Sequence, residues 1–383
     1  MDRFDDSVKL RIGVVCYPTF GGSGVLATEL GMQLARDGHQ VHFIASEMPV
    51  KLDTELPGLF FHKVTFNSYP LFQYDPYEIA LTSKIVAVAK AFDLQLLHVH
   101  YALPHASAAY FAKQILEKEG LRLPFVTTLH GTDITVVGKD AAFAPVIAYS
   151  INHSDIVTSV SESLKADTLS TFDIDREIVV IPNFVCNAKY ENRNAMPCHR
   201  DVYAPNGESI IMHISNFRKV KRIDDILKSF QLVRAKVPCK LLLIGDGPER
   251  IKMEELSVEL GVQDSVIFIG EIKDTEVALC AADVFVLASE KESFGLAALE
   301  AMAASVPVVS TDSGGIPEVN IHGESGFLSS VGDIVSMADH IIELISNEGL
   351  RQQMAQKAKE RALGFDIKKI LPQYLALFYQ LVK

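Results

Sequence analysis

Two hydrophobic periodicities alternate along the first half of the chain. Short, almost uninterrupted apolar runs are followed by longer segments in which apolar residues recur every three or four positions. This alternation predicts βαβ units, in which helices cover both faces of a parallel sheet. The predicted strands are Leu10–Cys16, Val41–Ala45, Leu96–His100, Phe125–Leu129, Ile156–Val160 and Ile178–Ile181, and the helices between them include Val25–Arg36, Pro76–Phe92 and His105–Glu119.

A second series of the same kind begins after an irregular segment. From Asn183 to Gly207 neither period persists, which predicts a linker. The strands predicted beyond it are Ile210–Ile214, Lys240–Ile244, Val266–Ile269, Val284–Leu287 and Pro307–Ser310. We therefore predict an α/β protein with two tandem, doubly wound, Rossmann-like domains at residues 1–185 and 208–365, joined by a linker at 186–207. The carboxyl ends of their strands are expected to face one central cleft, since ligands bind at those ends.

The last segment, residues 366–383, has a helical apolar stripe. Its apolar positions are Ile370, Leu371, Tyr374, Leu377, Phe378 and Leu381. Such an amphipathic helix needs a surface on which to bury its stripe. We expect it to pack back on the first domain.

Composition narrows the class of protein. The chain has 383 residues, of which 48% are apolar and 22% charged, and its net charge of −12 argues against nonspecific binding to nucleic acid or to an anionic membrane. No apolar run reaches the roughly 18–20 residues that span a bilayer. The first residues lack signal-peptide character, and five scattered cysteines show no paired spacing. These features favour a cytoplasmic protein with reduced thiols.

Two glutamates eight positions apart, Glu292 and Glu300, mark the most informative segment. A helix starting at about Phe294 would separate them by roughly 12 Å. The two catalytic carboxylates of a glycosidase lie about 5–9.5 Å apart, so Glu292 and Glu300 are too far apart to act on the same glycosidic bond. It fits a ligand with two polar ends, with a sugar at one glutamate, ribose at the other and phosphates at the helix N-terminus between them.

A glycine-rich loop, Gly21-Gly22-Ser23-Gly24, lies between the first predicted strand and helix. Glycine there lets backbone approach a ligand closely, and the helix N-terminus attracts phosphate. The glycine spacing does not match the G-x-G-x-x-G dinucleotide fingerprint. The loop is either an ordinary tight turn or a binding site for an anion or a sugar. Its position after the first strand favours the binding site.

Histidines follow or end two of the predicted strands. His130 comes directly after Phe125–Leu129, where it either caps a turn or presents its ring to a ligand. His98 and His100 alternate on another strand, but no carboxylate or cysteine at useful spacing completes a metal site. We predict no metal, and we expect His100, Tyr101 and His105 to line an acceptor pocket.

A basic loop, residues 218–222, follows the first strand of the second domain. Its cations precede a helix, so they form either a diphosphate clamp or a solvated charge run, and the position at a strand end favours the clamp. Gly245-Asp246-Gly247-Pro248 and Ser313-Gly314-Gly315-Ile316-Pro317-Glu318 are turns that lead into helices.

Taken in order, these motifs resemble the retaining nucleotide-sugar glycosyltransferases of GT-B fold that have an E-x₇-E element. The resemblance covers nearly the whole chain, including Gly323-x-x-Gly326-Phe327-Leu328. The family's usual Gly-Arg pair after the second domain's first strand is replaced by Ser215-Asn216. The resemblance therefore assigns the phosphate-binding arginine to Arg218 and the family's lysine to Lys221.

Longer strings are similar to one branch of this family, which transfers N-acetylglucosamine to L-malate in bacillithiol synthesis. They are Pro18–Val25, His98–His105, Thr127–Val136, Ile181–Val185 and His213–Arg222. This similarity implies transfer from UDP-GlcNAc to the hydroxyl of L-malate with the α-configuration retained. It implies no cofactor and no divalent metal in the chemical step.

The resemblance also implies roles for residues on the donor side. Glu300 would bind the ribose hydroxyls and Glu292 the transferred sugar, while Arg218 and Lys221 would neutralise the diphosphate. His130 would hydrogen-bond the sugar and steady the positive charge at its anomeric carbon. The backbone that would contact the sugar hydroxyls and phosphate belongs to Phe294, Gly295 and Leu296.

On the acceptor side, Gly21, Gly22 and Ser23 would close over the diphosphate and the acceptor. The further acceptor candidates are Tyr101, Thr128 and Asn183. The sequence does not identify the cation that a malate dianion would need.

Three other functions remain open. A UDP-GlcNAc 2-epimerase shares the fold, but the E-x₇-E string and His130-Gly131-Thr132-Asp133 disfavour it. A glycosyltransferase with a lipid or polysaccharide acceptor would be expected to show a basic amphipathic patch on the first domain, and none stands out. A non-catalytic nucleotide-binding protein would not need Glu292, His130 and Glu300. We expect small-molecule substrates, no nucleic acid and no stable membrane association; a homo-oligomer is compatible with the sequence.

Overall fold

A computed structural model describes residues 8–19, 21–66, 75–191 and 198–383. The chain divides into two compact units, Met1–Pro182 with Ile370–Lys383, and Asn183–Lys369. The end of the first unit thus lies three residues before the predicted boundary at 185. Part of the predicted linker, residues 192–197, lies outside the described residues.

The first unit is built on a parallel sheet whose described strands number seven. They are β1 Arg11–Val15, β2 Gln40–Ala45, β3 Leu59–Lys63, β4 Leu96–His100, β5 Phe125–Leu129, β6 Ile156–Ser159 and β7 Ile178–Val180. Their order across the sheet is β3-β2-β1-β4-β5-β6-β7. The α-helices between them are α1 Gly22–Arg36, α2 Tyr77–Phe92, α3 Ser107–Glu117, α4 Thr132–Thr135, α5 Ala144–Asn152 and α6 Glu162–Thr171.

The second unit repeats this plan with six described strands. They are β8 Ser209–Ile214, β9 Cys239–Ile244, β10 Val266–Gly270, β11 Val284–Leu287, β12 Val308–Thr311 and β13 Gly326–Ser329, in the order β10-β9-β8-β11-β12-β13. Its helices are α7 Arg200–Tyr203, α8 Ile223–Arg234, α9 Arg250–Glu259, α10 Thr275–Leu279, α11 Leu296–Ala303, α12 Ile316–Val319, α13 Ile334–Ser346 and α14 Glu348–Ala362. Both sheets are entirely parallel in their described pairings.

The central strands are buried on both faces, as their continuous apolar runs predict. Every residue of β4, β5, β11 and β12 is buried, because helices cover each sheet on both sides. The cores under these helices are formed by aliphatic and phenylalanine side chains such as Phe125 in the first unit and Phe230 in the second. The predicted α/β class with two Rossmann-like domains is confirmed.

The segment predicted as a linker has structure of its own. A 3₁₀ turn covers Asn187–Tyr190, and α7 lies beyond the undescribed residues. The side-chain amide of Asn187 donates to a carboxylate oxygen of Asp366 at 2.8 Å, within the second unit. Unpaired polar groups at a buried position are costly, and this bond accounts for the buried asparagine.

The final helix, α15, covers Ile367–Val382, and its residues from Ile370 onward belong to the first unit. The ring of Phe378 is fully buried and lies 5.4 Å from the ring of His98. Tyr379 donates its hydroxyl to the carbonyl of Val8 at 2.9 Å. The apolar stripe therefore completes the core of the first unit.

Candidate functional site

Strand register brings the predicted residues of the first unit to one edge of its sheet. His100 of β4 is paired with Thr128 of β5, so Tyr101 and His130 leave the sheet at the same end. Their rings lie 5.1 Å apart. The hydroxyl of Tyr101 lies 2.7 Å from that of Ser23, in the first turn of α1. The sheet thus assembles Ser23, Tyr101 and His130 from three separate segments.

The imidazole of His130 is joined to a second histidine. Its Nε2 lies 2.9 Å from Nδ1 of His100, and the N–H of one ring donates a hydrogen bond to the unprotonated nitrogen of the other. Burial, with a smaller contribution from His105, lowers the pKa of His130 to about 3. Burial also holds the pKa of His100 well below its usual range. Both rings are therefore neutral at physiological pH, and the ring of His130 can serve as a hydrogen-bonding group without a charge.

The other two histidines of this cluster are buried. Burial lowers the pKa of His98 to about 3 and that of His105 to about 4. His105 Nδ1 donates to the carbonyl of His100, at 2.5 Å. Neither ring has the exposure that a direct contact with an acceptor needs. These two histidines therefore pack in the layer below the residues at the carboxyl ends of the strands.

Thr128, predicted on the acceptor side, is only 1% exposed. Its hydroxyl lies 2.8 Å from Nε2 of His98 and 2.7 Å from the hydroxyl of Thr158. Tyr374 of α15 also hydrogen-bonds to both threonines. Thr128 therefore holds the layer beneath the site, and its direct role with an acceptor stays a prediction.

The glycine-rich loop ends in α1, with Gly21 as the residue that precedes the helix. Among the residues that the structure describes, no atom lies within 4 Å of the position that a Cβ at Gly21 or Gly22 would take, so the backbone is open to that part of the chain. Gly24 is different, because a Cβ there would lie 2.6 Å from the carbonyl of Tyr17. The first turn of α1 has no acidic residue, so backbone N–H groups at its start can donate hydrogen bonds to an anion.

In the second unit, the basic loop and the Glu292 segment meet directly. Lys221 Nζ lies 2.6 Å from Oε2 of Glu292, and the side chains are 18% and 17% exposed. The hydroxyl of Ser289 donates to the same carboxylate oxygen at 3.2 Å. The backbone N–H of Glu290 donates to the carbonyl of Val220 at 2.8 Å. Two predicted donor residues, 71 positions apart, are thus fixed against each other.

Gly245 and Gly314, in the two turns that were predicted to lead into helices, occupy positions where a side chain would collide with a neighbouring backbone carbonyl. Gly245 has φ +121°, and a Cβ there would lie 1.8 Å from the carbonyl oxygen of Ser215. Gly314 has φ +61°, and a Cβ there would lie 2.0 Å from the carbonyl oxygen of Glu292. Only glycine permits these close contacts. They pack the Gly245 turn against Ser215 and the Gly314 turn against Glu292.

The helix between the two glutamates begins later than predicted. α11 starts at Leu296, with Gly295 before it at φ +95°, so Glu292 lies in an irregular segment outside the helix. The estimate of 12 Å, which assumed helix from about Phe294, therefore does not apply. Phe294 is buried and packs at 5.7 Å against Phe365, whereas Glu300 keeps partial exposure on α11.

Arg218 and Asn183 are less constrained. Arg218 is exposed, and among the residues that the structure describes no carboxylate forms an ion pair with it. Asn183 is half-buried and is the first residue of the second unit. Ser215, which replaces the family's glycine, lies 2.7 Å from Nε2 of His213, whose Nδ1 donates to the carbonyl of Val286. His213 therefore accepts from Ser215.

Sequence reasoning did not identify Asp133 as more than part of a motif. It is a buried carboxylate that accepts hydrogen bonds from the backbone N–H groups of Ala102 and Gly131. Its place directly after His130-Gly131-Thr132 was the signal that could have identified it.

The described residues contain no group of three or more histidines, cysteines or acidic residues that could hold a metal ion. Within the same ranges, no helix is long and apolar enough to cross a membrane. None of the five cysteines forms a disulfide there.

Two parallel-sheet units with polar residues at the strand ends are the plan expected of a GT-B glycosyltransferase. The pattern of the family described as Glycosyltransferase Family 4 matches residues 20–188, and that of Glycosyl transferases group 1 matches residues 199–361. The N-acetyl-alpha-D-glucosaminyl L-malate synthase of Bacillus anthracis is 45% identical over 377 residues, which cover 98% of each chain. The chain belongs to this family of GT-B glycosyltransferases, and the resemblance seen in the sequence is confirmed.

Solved structures share the fold at low sequence identity. Anabaena Alr3699/HepE in complex with UDP-glucose superposes with a TM-score of 0.81 at 20% identity, covering 97% of this chain and all of that one. A glycosyltransferase from Rickettsia africae gives 0.79 at 20% identity, with 98% and 99% of the two chains covered. These likenesses establish the architecture alone.

Proposed function

We propose that this glycosyltransferase moves N-acetylglucosamine from UDP-GlcNAc to the hydroxyl of L-malate, with the α-configuration retained, as the first step of bacillithiol synthesis. The observation that carries the proposal is the 45% identity, over 98% of both chains, with a protein named for that synthase. The geometry at the strand ends of each unit supports it.

On the donor side, we assign the diphosphate to the basic loop and to the start of α11. Lys221 would neutralise phosphate charge, and its ion pair with Glu292 sets both groups before the donor arrives. Arg218, exposed on the same loop, would supply a second cation. The free N–H groups at Gly295 and Leu296 add the partial positive charge of a helix N-terminus.

The two glutamates take different parts of the donor. Glu292, in the irregular segment before α11, would accept hydrogen bonds from hydroxyls of the transferred sugar. Glu300, on the helix itself, would accept them from the ribose hydroxyls. A carboxylate suits both places, since an ionised acid is purely an acceptor and a sugar diol offers two donors.

His130 would act on the sugar as a neutral ring. Its Nε2 is engaged with His100, so Nδ1 is the nitrogen that remains for the substrate. With a pKa of about 3 the ring adds no positive charge beside an anomeric carbon that itself becomes positive. In front-face retention the departing phosphate oxygen can take the proton from the acceptor hydroxyl, so no carboxylate base is required.

On the acceptor side, we assign malate to Ser23, Tyr101 and the first turn of α1. The hydroxyl pair can donate to a carboxylate, and the open backbone at Gly21 and Gly22 offers N–H groups to it. Thr128 and Asn183 remain candidates, the first from beneath the site.

We also propose that the chemical step needs no divalent metal and that the enzyme works in the cytoplasm. The cations of the basic loop can balance the diphosphate by themselves. The cysteines, which form no disulfide in the described ranges, suit a reducing compartment.

The experiment that tests the proposal is a product analysis. Purified enzyme is incubated with UDP-GlcNAc and L-malate in excess EDTA, and the product's mass and anomeric coupling constant are measured. A glycoside of malate with an α-linkage is expected. N-acetylmannosamine would instead identify a 2-epimerase, and transfer that requires added divalent metal would contradict the metal-independent step.

A further inference from the structure

One buried carboxylate connects the two segments that present Tyr101 and His130. Oδ2 of Asp133 accepts from the backbone N–H of Ala102 at 2.8 Å, and Oδ1 accepts from that of Gly131 at 3.2 Å. Ala102 directly follows Tyr101, and Gly131 directly follows His130. A single side chain thus bonds to the residue after each of two site residues, which come from different strands.

The backbone at Tyr101 shows that this turn is held against a local preference. Its dihedral angles are φ +79° and ψ 145°, a region that residues with a Cβ seldom adopt. Such a conformation is strained and persists only where surrounding bonds fix it. Here the N–H of Tyr101 donates to the carbonyl of Thr128 at 2.9 Å, and the next N–H donates to Asp133.

The carboxylate itself occupies an unfavourable place. Asp133 is 3% exposed, and its burial raises its pKa to about 6 despite the backbone hydrogen bonds that it accepts. A buried carboxylate is expensive unless its oxygens are bonded. The strained backbone and the buried acid therefore occur at the same pair of turns. These turns carry the Tyr101 hydroxyl, 2.7 Å from that of Ser23, and the His130 ring, 5.1 Å from the ring of Tyr101.

We propose that Asp133 is a positioning residue for glycosyl transfer, which fixes the Tyr101 hydroxyl and the His130 ring at one mutual distance without touching either substrate. The proposal rests on the function proposed above. Asp133 would act by fixing positions, since displacement of a reacting or orienting group by about 1 Å can lower a rate on the order of 100-fold.

The test begins with Asp133→Asn, which places an amide NH₂ where a carboxylate oxygen accepts from backbone N–H groups. The matched control is Asp155→Asn. Asp155 accepts from the N–H of Phe125, at the opposite end of β5, at 2.9 Å, and pairs with Lys113 at 2.8 Å. Both variants lose a bond to the backbone at an end of one strand, but only the first lies beside the site residues.

We expect Asp133→Asn to lower kcat about 10- to 100-fold while the Kd for UDP, bound by groups of the second unit, changes less than twofold. Asp155→Asn should keep kcat within about threefold. Tyr101→Phe and the double variant Asp133→Asn/Tyr101→Phe complete a cycle. If Asp133 acts through Tyr101, the second substitution adds little to the first. Independent, multiplicative losses would overturn the proposal, as would an equal loss of kcat in Asp155→Asn.

A ligand-free readout separates this proposal from the proposed function. In protein labelled with ¹³C at histidine Cε1, Asp133→Asn should move the His130 resonance, assigned with His130→Gln, while Asp155→Asn leaves it in place. An unmoved His130 signal overturns the positioning role whatever the acceptor is. A moved signal in an enzyme that ignores malate supports it and contradicts only the malate assignment. Should Asp133→Asn fail to fold, Asp133→Ser, with one acceptor oxygen and no amide donor, is used in the same comparison.

Discussion

Lys221 and Glu292 form a half-buried ion pair with 2.6 Å between Nζ and Oε2. The two residues come from loops after β8 and β11, neighbours in the sheet of the second unit. The ion pair holds both charged side chains in one position. Because both residues are proposed to bind the donor, the pair connects the stability of the second unit with donor binding. Removal of one partner leaves the other charge without compensation.

We therefore predict that Lys221→Met lowers the free energy of unfolding by about 1–3 kcal/mol, and that Lys221→Met/Glu292→Gln recovers part of the loss. Chemical denaturation followed by circular dichroism measures both. Lys63→Met is the control, since Lys63 and Glu47 form a pair with side chains 50% and 68% exposed, and it should cost less than about 1 kcal/mol. Equal losses in the two single variants would contradict the prediction.

A second prediction concerns the Gly314 turn, which packs against the backbone of Glu292. Gly314→Ala would place a Cβ 2.0 Å from the carbonyl of Glu292, so the Glu292 segment must move. We expect the Kd for UDP-GlcNAc to rise at least tenfold, measured by isothermal titration. Gly261→Ala shares the positive φ, +68°, but the added Cβ would meet no atom of the described residues within 4 Å, and it should cost only about 1–2 kcal/mol of stability. If Gly314→Ala binds donor as Gly261→Ala does, the turn has no role in placing Glu292.

Much of this architecture follows from the pattern of the sequence. Leu96–His100, Phe125–Leu129 and Val284–Leu287 were predicted with the bounds that the structure has, because a central parallel strand is apolar throughout. β3 and β13 were missed. Both lie at sheet edges, and their sequences, Leu-Phe-Phe-His-Lys and Gly-Phe-Leu-Ser, combine apolar with polar or small residues, which weakens the periodic signal.

The contacts among the predicted site residues do not follow from the pattern of the sequence. The pairing of Lys221 with Glu292 depends on the order β8-β11 in the sheet, which no local pattern encodes. The burial of Thr128 depends on α15, from the far end of the chain. Asp133 was predicted only as part of the His130-Gly131-Thr132-Asp133 motif. Its partners are backbone N–H groups, which almost every residue has, so its particular hydrogen bonds do not follow from the sequence.

A third prediction concerns His130. If its neutral ring steadies charge that develops at the anomeric carbon, its contribution is largest in the transition state. We expect His130→Ala to lower kcat by at least about 100-fold with less than a threefold change in KM for UDP-GlcNAc, in steady-state assays. His153→Ala, on the first unit but outside the cluster, serves as the control. A change confined to KM would assign His130 to ground-state binding.

A fourth prediction concerns acid stability. Burial lowers the pKa of His213 to about 4, and the histidines of the first unit's cluster are lowered similarly. Below pH 6.5 the unfolded chain takes up protons that the folded chain does not, so the free energy of unfolding should fall as the pH drops from 6.5 towards 4. Asp133, with its pKa raised to about 6, acts in the opposite sense, because its contribution is lost as the pH rises through 6.

His213→Gln isolates one of these groups. Glutamine can replace the bond to Val286 but does not titrate, so the decline between pH 6.5 and 4 should shrink by up to about 3 kcal/mol. Denaturation midpoints measured across that pH range give the slope. His199→Gln, at an exposed position, should keep the slope of the parent. Parallel slopes for the parent and both variants would show that His213 is not held neutral by the fold.

The most direct test of the central claim compares acceptors that differ in one group. UDP release from UDP-GlcNAc is measured with L-malate, with succinate, which has both carboxylates but no hydroxyl, and with neither, in the presence of EDTA. We expect rapid release with L-malate and only a slow background with succinate or buffer. Equal release in all three would show that the hydroxyl of malate is not the acceptor.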